Sequence, residues 1–227
     1  GLVVVLLHGF GAPGTDLVPL GEFIDCPPRT AFVFPEAPLE MPSFMGGRAW
    51  WMLDLEQLEA DLSSGRPRDR SGAVPEGSEK PREMITKLLE ELSSEHGVAP
   101  ERIVIGGFSQ GSMVATDVVL RSDREFAGLI VWSGTLLGKD EWIPLMEKRS
   151  GLAVVQSHGE SDPLLPFEIA ERLRDHFRES GMLVDWVRFA GAHEIPPEVL
   201  DQTSLLIRKL DKKLVRQDIS TRAGLKP

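Results

Sequence analysis

The sequence RIVIGGFSQG, residues 102–111, decides how this chain is expected to fold. Its first half is a β-branched run that is typical of a buried strand. Its second half contains GFSQG (107–111), a G-x-S-x-G pattern, and Met113, Val114 and Val118 then recur at helical spacing. A serine on such a sharp strand-to-helix turn is held in a strained backbone conformation with its hydroxyl exposed. The pattern therefore predicts that Ser109 is presented as a nucleophile.

A serine hydroxyl needs three kinds of partner before it can attack a carbonyl at neutral pH. It needs a base to take its proton, a group that orients the base, and donors for the developing oxyanion. In hydrolases built around this turn, the chain order is serine, then aspartate or glutamate, then histidine. Because chance matches to G-x-S-x-G are common, the remainder of the chain must supply these partners in that order.

His193 is the candidate base. It lies in GAHEIP (191–196), just after a predicted strand and before a predicted helix, and it is the last histidine of the chain. The carboxyl ends of parallel strands are where such sheets carry their chemistry. The other histidines are either on predicted helices among charged residues, as for His96 and His176, or before a glycine at a strand end, as for His8 and His158. The last two can equally be hydrogen-bonded histidines with no catalytic role.

Asp162 is the favoured acid. It lies in HGESDP (158–163), directly after a predicted strand, and the following proline sets a turn that can direct its carboxylate towards the imidazole. Glu160 is a neighbouring alternative. Asp175 and Asp185 fall on a predicted helix surface and within a predicted strand, where solvation is the simpler interpretation.

The oxyanion requires two backbone amides. Gln110 is expected to supply one, because it follows the nucleophile. The other is expected from the glycine-rich loop LLHGFG (6–11) after the first strand, with the amide of Phe10 directed at the site.

The whole chain alternates between strand-like and helix-like segments. This alternation predicts a mostly parallel central sheet with helices on both faces, in a single domain over residues 1–227. Residues 63–77, SSGRPRDRSGAVPEG, are polar and rich in Gly, Pro and Arg, and they are interpreted as a surface loop or lid. The charged tail after Leu214 is expected to fray. The predicted strands are Val3–Leu7, Ala31–Phe34, Arg102–Ile105, Leu129–Trp132, Leu152–Gln156 and Leu183–Phe189.

Composition excludes several classes of partner. The net charge of −10, without a cluster of Lys and Arg, argues against a nucleic-acid partner or an anionic membrane surface. The apolar run GLVVVLL (1–7) is too short to span a bilayer. A single cysteine, Cys26, excludes an internal disulfide and a cysteine-based zinc site, and it fits a reducing compartment. We therefore expect a cytoplasmic protein without a membrane span, with homodimer assembly left open.

With these pieces in place, the chain resembles the phospholipase/carboxylesterase family of α/β-hydrolases, which includes the acyl-protein thioesterases. The resemblance covers most of the chain. It implies an α/β-hydrolase fold, Ser109 as nucleophile, Asp162 as acid, His193 as base, and Phe10 and Gln110 as oxyanion donors. It also implies hydrolysis of a small-molecule carboxylic ester or thioester with no metal or organic cofactor. The segments that carry it are LLHGFG, FPEAP, RAWW, ERIVIGGFSQG, AGLIVWSG, HGESDPLLP and GAHEIPPEVL.

The substrate is less well defined by the resemblance. A carboxylesterase acting on small to medium acyl esters is the first interpretation, and an acyl-protein or lysophospholipid thioesterase or lipase is the alternative. Phe44, Met45, Trp50 and Trp51 are candidate walls of the acyl pocket, although they are equally interpreted as ordinary core. Family members usually carry more chain before the first strand, so an edge strand is expected to be missing.

Two rival interpretations come from other classes. GFGAPG (9–14) follows a strand and matches the G-x-G-x-x-G outline of a dinucleotide site, with Glu36 after the next strand. However, Pro19, Gly21 and Pro27 interrupt the crossover helix that this site requires. A non-catalytic binding protein on the same fold would usually have lost a member of the triad, and all three are present.

Overall fold

Six parallel strands form the central sheet of the protein, in a computed structural model that describes residues 1–44, 46–64 and 69–224. The sheet order is β2-β1-β5-β6-β7-β8, and a separate antiparallel hairpin joins β3 to β4. The strands are β1 (Val3–Leu7), β2 (Ala31–Val33), β3 (Leu39–Met41), β4 (Gly47–Ala49), β5 (Ile103–Phe108), β6 (Gly128–Trp132), β7 (Ala153–Gly159) and β8 (Leu183–Phe189). The helices are α1 (Leu55–Ser64), α2 (Glu79–Ser94), α3 (Gln110–Arg121), α4 (Lys139–Met146), α5 (Phe167–Glu179) and α6 (Pro197–Gly224).

Alternation along the strands builds one apolar core on each face of the sheet. In β1, Val3, Val5 and Leu7 contribute to the core under α2, α3, α4 and α5, whereas Val4 and Leu6 contribute to the core under α6. Successive side chains of a strand point to opposite faces, so a strand covered on both sides needs a continuous apolar run. The run VVVLL of β1 meets that requirement, and every residue of it is buried.

The strand order places a switch point between β1 and β5. The chain moves from β1 to β2 in one direction and continues from β5 through β8 in the other. In an open parallel sheet, ligands bind outside the carboxyl ends of the strands at this point. The loops that leave β1 and β5 are the ones that carry Phe10 and Ser109.

The fold agrees with the predicted α/β class. All six predicted strands are present, β1 and β8 with the predicted bounds and the other four with shifts at their ends. The prediction that the tail frays after Leu214 is wrong, because α6 continues to Gly224. Part of the reason is a contact in which Arg102 Nη2 donates to both carboxylate oxygens of Asp218, at 2.8 and 2.7 Å. The β3–β4 hairpin was not predicted, since its strands of three residues carry too little periodicity.

The predicted loop at 63–77 begins inside a helix. Ser63 and Ser64 are the last residues of α1, residues 65–68 lie outside the described part of the chain, and residues 69–77 form a loop. The dinucleotide interpretation also lacks its helix, because residues 9–30 contain a 3₁₀ helix at Val18–Glu22 instead of an α-helix. Within the described residues, no helix is both long and apolar enough to cross a membrane.

Candidate active site

The turn between β5 and α3 holds Ser109 in a strained backbone conformation. Ser109 has φ 51° and ψ −121°, a region that residues other than glycine rarely adopt. Its amide donates a hydrogen bond to the Trp132 carbonyl oxygen at the end of β6, at 2.8 Å. Gly111 allows α3 to start against β1, because a Cβ at this position would lie 2.1 Å from the Leu7 carbonyl oxygen. The surrounding structure therefore maintains a conformation that Ser109 would not adopt by itself.

Asp162 and His193 form a direct hydrogen-bonded pair. His193 Nδ1 lies 2.6 Å from Asp162 Oδ2, and the side chain of Asp162 is fully buried. The other carboxylate oxygen, Oδ1, accepts hydrogen bonds from the amides of Leu164 and Leu165, at 2.8 and 3.0 Å. Burial by itself would raise the pKa of Asp162, but its bonds to His193 and to the Leu165 amide lower that pKa below its ordinary value. The carboxylate is therefore ionised at neutral pH and can orient the imidazole.

Backbone contacts join the loop that carries Asp162 to the loop that carries His193. The amide of Glu160 donates to the Phe189 carbonyl oxygen at 2.9 Å, and the amide of Ser161 donates to the Gly191 carbonyl oxygen at 3.0 Å. Gly159 makes the approach possible, since a Cβ there would lie 2.1 Å from the carbonyl oxygen of Ala192. The two loops follow neighbouring strands, β7 and β8, so the sheet register determines their separation.

The alternative acid, Glu160, points elsewhere. Its carboxylate forms an ion pair with Arg188 at 3.1 Å, and its side chain is 40% exposed. Asp175 pairs with Arg174 on the surface of α5 at 2.8 Å. Asp162 is thus the acid that the structure brings to His193.

The remaining histidines lie away from the nucleophile or are buried in the protein. His176 is paired with Glu179 on α5 at 3.2 Å. His8 is buried, with Nδ1 lying 2.8 Å from the Gly9 carbonyl oxygen and Nε2 accepting the Ala37 amide at 3.1 Å. His158 is also buried and lies behind Asp162.

The two predicted oxyanion donors face the same cavity as Ser109 and His193. The loop that carries Phe10 is tied to β4, because the Gly11 amide donates to the Arg48 carbonyl oxygen at 2.8 Å and the Arg48 amide donates to Ala12 at 3.0 Å. Among the described residues, no hydrogen-bond acceptor is found for the amides of Phe10 and Gln110. Both amides are therefore available to a ligand in the cavity.

The side chain of Gln110 has a second function that the sequence analysis missed. Its Oε1 accepts the Trp50 amide at 2.9 Å, and its Nε2 donates to the Trp51 carbonyl oxygen at 2.8 Å. Trp50 in turn donates its indole N–H to the His8 carbonyl oxygen at 2.8 Å. These bonds link the nucleophile turn, the loop after β1 and the segment after β4. No local pattern could have indicated contacts between residues so far apart in the chain.

The cavity has a volume of about 380 Å³, which is within the range of small-molecule sites. Trp51 lines it, as predicted for a pocket wall. Trp50 does not line it, because its ring is buried beneath the loop after β1 and is 1% exposed. Phe44 packs edge-on against Phe10 and is 43% exposed, outside the cavity lining. Met45, the fourth predicted wall residue, lies outside the described part of the chain.

The apolar end of the cavity comes from elements that the sequence analysis did not assign to a pocket. Met113 from α3, Leu137 before α4 and Ile169 from α5 line it, and all three are buried. They carry the apolar periodicity of ordinary core residues, so their position at a cavity depends on how the helices pack.

The mouth of the cavity is polar. The exposed residues Asp16, Asp54 and Glu76 line it together with Arg70. Arg70 and Glu76 belong to the loop over residues 69–77, so this part of the predicted surface loop or lid lines the cavity.

Backbone bonds anchor that loop to the start of α4. The amide of Gly138 donates to the Ala73 carbonyl oxygen at 2.9 Å, and the amide of Lys139 donates to Ser71 at 2.8 Å. Asp69 forms an ion pair with Arg172 on α5. Hydrogen bonds from Ser71 and from Arg172 lower the pKa of Asp69 to about 2, so this pair persists through the neutral and mildly acidic range.

The family model described as phospholipase/carboxylesterase matches residues 2–210. Acyl-protein thioesterase 1 of Gibberella zeae is 27% identical over 214 residues, covering 91% of this chain and 89% of that protein. A probable carboxylesterase of Oryza sativa subsp. japonica is 29% identical over 204 residues, covering 87% and 73% respectively.

Solved structures share the fold. Esterase PE8 is 28% identical with a TM-score of 0.77, and the match covers 92% of each chain. A carboxylesterase from Mesorhizobium loti has a TM-score of 0.71 at 17% identity, covers 90% of this chain and 87% of its own, and is evidence for the fold alone.

Proposed function

We propose that this chain, which belongs to the phospholipase/carboxylesterase family of serine hydrolases, cleaves small to medium acyl esters through a Ser109–His193–Asp162 triad. One observation carries the proposal. A serine in a strained turn, a histidine bonded to a buried carboxylate, and two unpartnered amides converge on one cavity. That convergence is what acyl transfer to a serine requires.

The reaction proceeds in two steps. Ser109 Oγ bonds to the carbonyl carbon while its proton passes to His193 Nε2, and the carbonyl oxygen becomes an oxyanion bound by the amides of Phe10 and Gln110. The tetrahedral species collapses, the bond to the leaving group breaks, and the imidazolium protonates the leaving oxygen or sulfur. A water then attacks the acyl-enzyme with His193 again acting as base, and this releases the acid and regenerates the serine.

Asp162 has an orienting function in this scheme. Because His193 Nδ1 is bonded to Asp162 Oδ2, its proton lies on Nδ1, and Nε2 keeps its lone pair for the serine. The lowered pKa of Asp162 keeps the carboxylate ionised, so it stabilises the imidazolium as it forms.

A thioester substrate is the second candidate. The similarity to acyl-protein thioesterase 1 favours it, and so does the shape of the cavity, in which an apolar end meets a polar mouth beside the exposed side chain of Met52. A long or protein-borne leaving group can extend from such a mouth into solvent. Cytoplasmic localisation remains a prediction, and homodimer assembly remains open.

Replacement of the nucleophile tests the proposal. Ser109→Ala is expected to lower kcat for a nitrophenyl ester by about 10⁴ to 10⁶-fold, because no other group can form the acyl-enzyme. Ser94→Ala, at an exposed position near the end of α2, is the matched control and is expected to leave kcat unchanged. Activity of Ser109→Ala close to that of the unaltered protein would rule out the assignment.

A chain-length series separates the two candidate substrates. Nitrophenyl esters and acyl thioesters of matched acyl length are compared by kcat/KM. A preference for short esters supports the carboxylesterase, whereas a rise towards long acyl thioesters supports the acyl-protein alternative.

A further inference from the structure

The ring of His158 lies directly behind the carboxylate of Asp162. It is fully buried at the end of β7, and its Nε2 lies 3.0 Å from the Leu165 carbonyl oxygen and 3.3 Å from Asp162 Oδ2. Burial lowers the pKa of His158, so the ring is neutral at physiological pH and carries one N–H. The ring does not line the cavity that holds Ser109 and His193, so it cannot contact the reacting atoms.

The surroundings of the ring determine which nitrogen carries the proton. Both neighbours of Nε2 are oxygen acceptors, and a nitrogen lone pair there would repel them. A backbone contact with Gly134 also bears on the ring, but within the described residues no acceptor meets hydrogen-bond geometry at Nδ1. The proton is therefore on Nε2, from which it is donated to the Leu165 carbonyl oxygen, while Asp162 Oδ2 lies 3.3 Å away in an electrostatic contact.

The bond from His158 to Leu165 adds to the contacts that hold Asp162 in place. Leu165 is held at both ends, because its amide donates to Asp162 Oδ1 at 3.0 Å and its carbonyl accepts from His158. Asp162 Oδ2 faces two imidazole nitrogens, His193 Nδ1 at 2.6 Å and His158 Nε2 at 3.3 Å. The carboxylate accepts two amide hydrogen bonds at Oδ1 and one imidazole hydrogen bond at Oδ2, where the His158 ring packs behind it, so rotation would break bonds at both oxygens.

We propose that His158 is a positioning residue for the reaction, which holds the Asp162 carboxylate and the 162–165 turn in the orientation that His193 requires. This role rests on the proposed function of the triad. His158 would hold Asp162, which orients the base His193. Because the imidazolium of His193 forms in the transition state, loss of His158 is expected to lower kcat more than it weakens substrate binding. Loss of such outer hydrogen bonds, or a small displacement of a catalytic group, typically costs about 10 to 100-fold in activity.

Three substitutions separate positioning from simple packing. His158→Gln keeps a donor at the position of Nε2, His158→Asn carries the same amide on a shorter side chain, and His158→Leu has no donor. We expect kcat to fall about 10 to 100-fold in the Leu and Asn variants with KM little changed, and to stay within about threefold of normal in the Gln variant.

A spectroscopic measurement reports on the Asp162–His193 bond without requiring turnover. The proton in a short N–H···O bond resonates far downfield in the ¹H NMR spectrum, and the 2.6 Å bond of His193 Nδ1 predicts such a signal. We expect this signal to be retained in His158→Gln and to move upfield or broaden in His158→Asn.

Several outcomes would overturn the proposal. A folded His158→Leu with normal kcat and an unchanged downfield signal would do so. If the Leu variant does not fold, the proposal would be overturned by equal kcat values and equal spectra in the Gln and Asn variants. Activity of the unaltered protein and of Ser109→Ala is measured in the same series. If Ser109→Ala stays active, the proposed function fails, while the spectra still test whether His158 holds Asp162.

Discussion

Ser109 and Ser133 are the two non-glycine residues with positive φ in the described parts of the chain, with φ of 51° and 45°. Both follow strands of the sheet at the carboxyl edge. Ser133 is tied in place by its amide, which donates to the Ser157 carbonyl oxygen at 2.9 Å, and its hydroxyl donates to Glu194 at 3.3 Å. Strained backbone conformations persist where several surrounding contacts hold them, and they cluster at functional sites. Here the second strained serine braces the loop that carries His193.

Gly159 offers a test of how closely the two catalytic loops must approach. In Gly159→Ala, the new Cβ would lie 2.1 Å from the Ala192 carbonyl oxygen, so the loop that carries His193 must move. We expect the free energy of unfolding to fall by about 1–3 kcal/mol and kcat to fall with it. Urea denaturation and ester hydrolysis measure the two effects.

Gly72→Ala is the control for that substitution. A Cβ at Gly72 would have no neighbour within 4 Å, and the site is exposed, so its effect on stability should be within about 0.5 kcal/mol. If the two variants were equally stable and equally active, close approach at Gly159 would not matter.

At the scale of elements, α3 extends from Ser109 to the apolar end of the cavity. Its first residue, Gln110, presents an unpartnered amide, and the positive end of the helix dipole favours negative charge at that position. One turn further on, Met113 lines the cavity. The same helix therefore lines the cavity both next to Ser109 and at its apolar end.

Met113 also separates the cavity from a smaller one. Trp51, Pro75, Met113 and Leu137 line both the main cavity and a neighbouring space of about 20 Å³. We expect Met113→Ala to join the two spaces and to shift the preferred acyl chain towards longer substrates. A methylene accommodated in an apolar pocket is worth about 1–3 kcal/mol, or 10 to 200-fold in kcat/KM. Measuring kcat/KM across a series of acyl lengths checks this.

Met182→Ala is the matched control for the pocket. Met182 is also buried, at 3% exposure, but it packs in the core and does not line the cavity. Both variants should lose stability through a cavity in the core, whereas the chain-length preference should change in Met113→Ala alone. An identical length profile in both variants would contradict the assignment of Met113 to the acyl pocket.

For the whole molecule, two buried histidines couple stability to pH. Burial is the main cause that lowers the pKa of His8 and of His158. The charged groups that bear on His8 are Asp16, Glu36 and Arg48, and those that bear on His158 are Asp162 and His193. Despite the attraction of the carboxylates, both rings stay neutral in the folded protein.

The sign of the pH effect follows from those lowered values. Below the ordinary histidine pKa of 6.5, the unfolded chain takes up protons that the folded protein does not, so the folded state loses stability. We expect the free energy of unfolding to be greatest above pH 6.5. It should decrease as the pH falls, by at most about 1.4 kcal/mol per pH unit for each of the two histidines.

Urea denaturation at a series of pH values measures this slope. His158→Gln should reduce the slope over the same pH range, because glutamine does not titrate. Ser94→Ala, which replaces an exposed residue at the end of α2 that does not titrate, is the control and should leave the slope unchanged. A slope that is the same in all three proteins would contradict a neutral His158 in the folded state.

Local patterns were sufficient for the order of the elements and for the candidate catalytic residues. The β-branched runs predicted the six strands of the sheet, and GFSQG indicated the turn on which Ser109 lies. These features depend on neighbours within a few residues, so a sequence carries them directly. The choice between Asp162 and Glu160 was not local. Both residues lie just after β7 and are two positions apart. The Asp162 carboxylate is bonded to His193, whereas the Glu160 carboxylate pairs with Arg188.

The sequence by itself determined the α/β class, the strained turn and the set of residues from which a triad could be drawn. The tertiary structure alone decided the pocket and the support around it. Only the tertiary structure shows that Trp51 lines the cavity whereas Trp50 lies in the core. It also shows the buried hydrogen bonds of Gln110 and His158. The physical reason is that the direction of a side chain and the partner of a buried polar group depend on residues distant in the chain. Their approach is determined by sheet register and helix packing, which no short stretch of sequence contains.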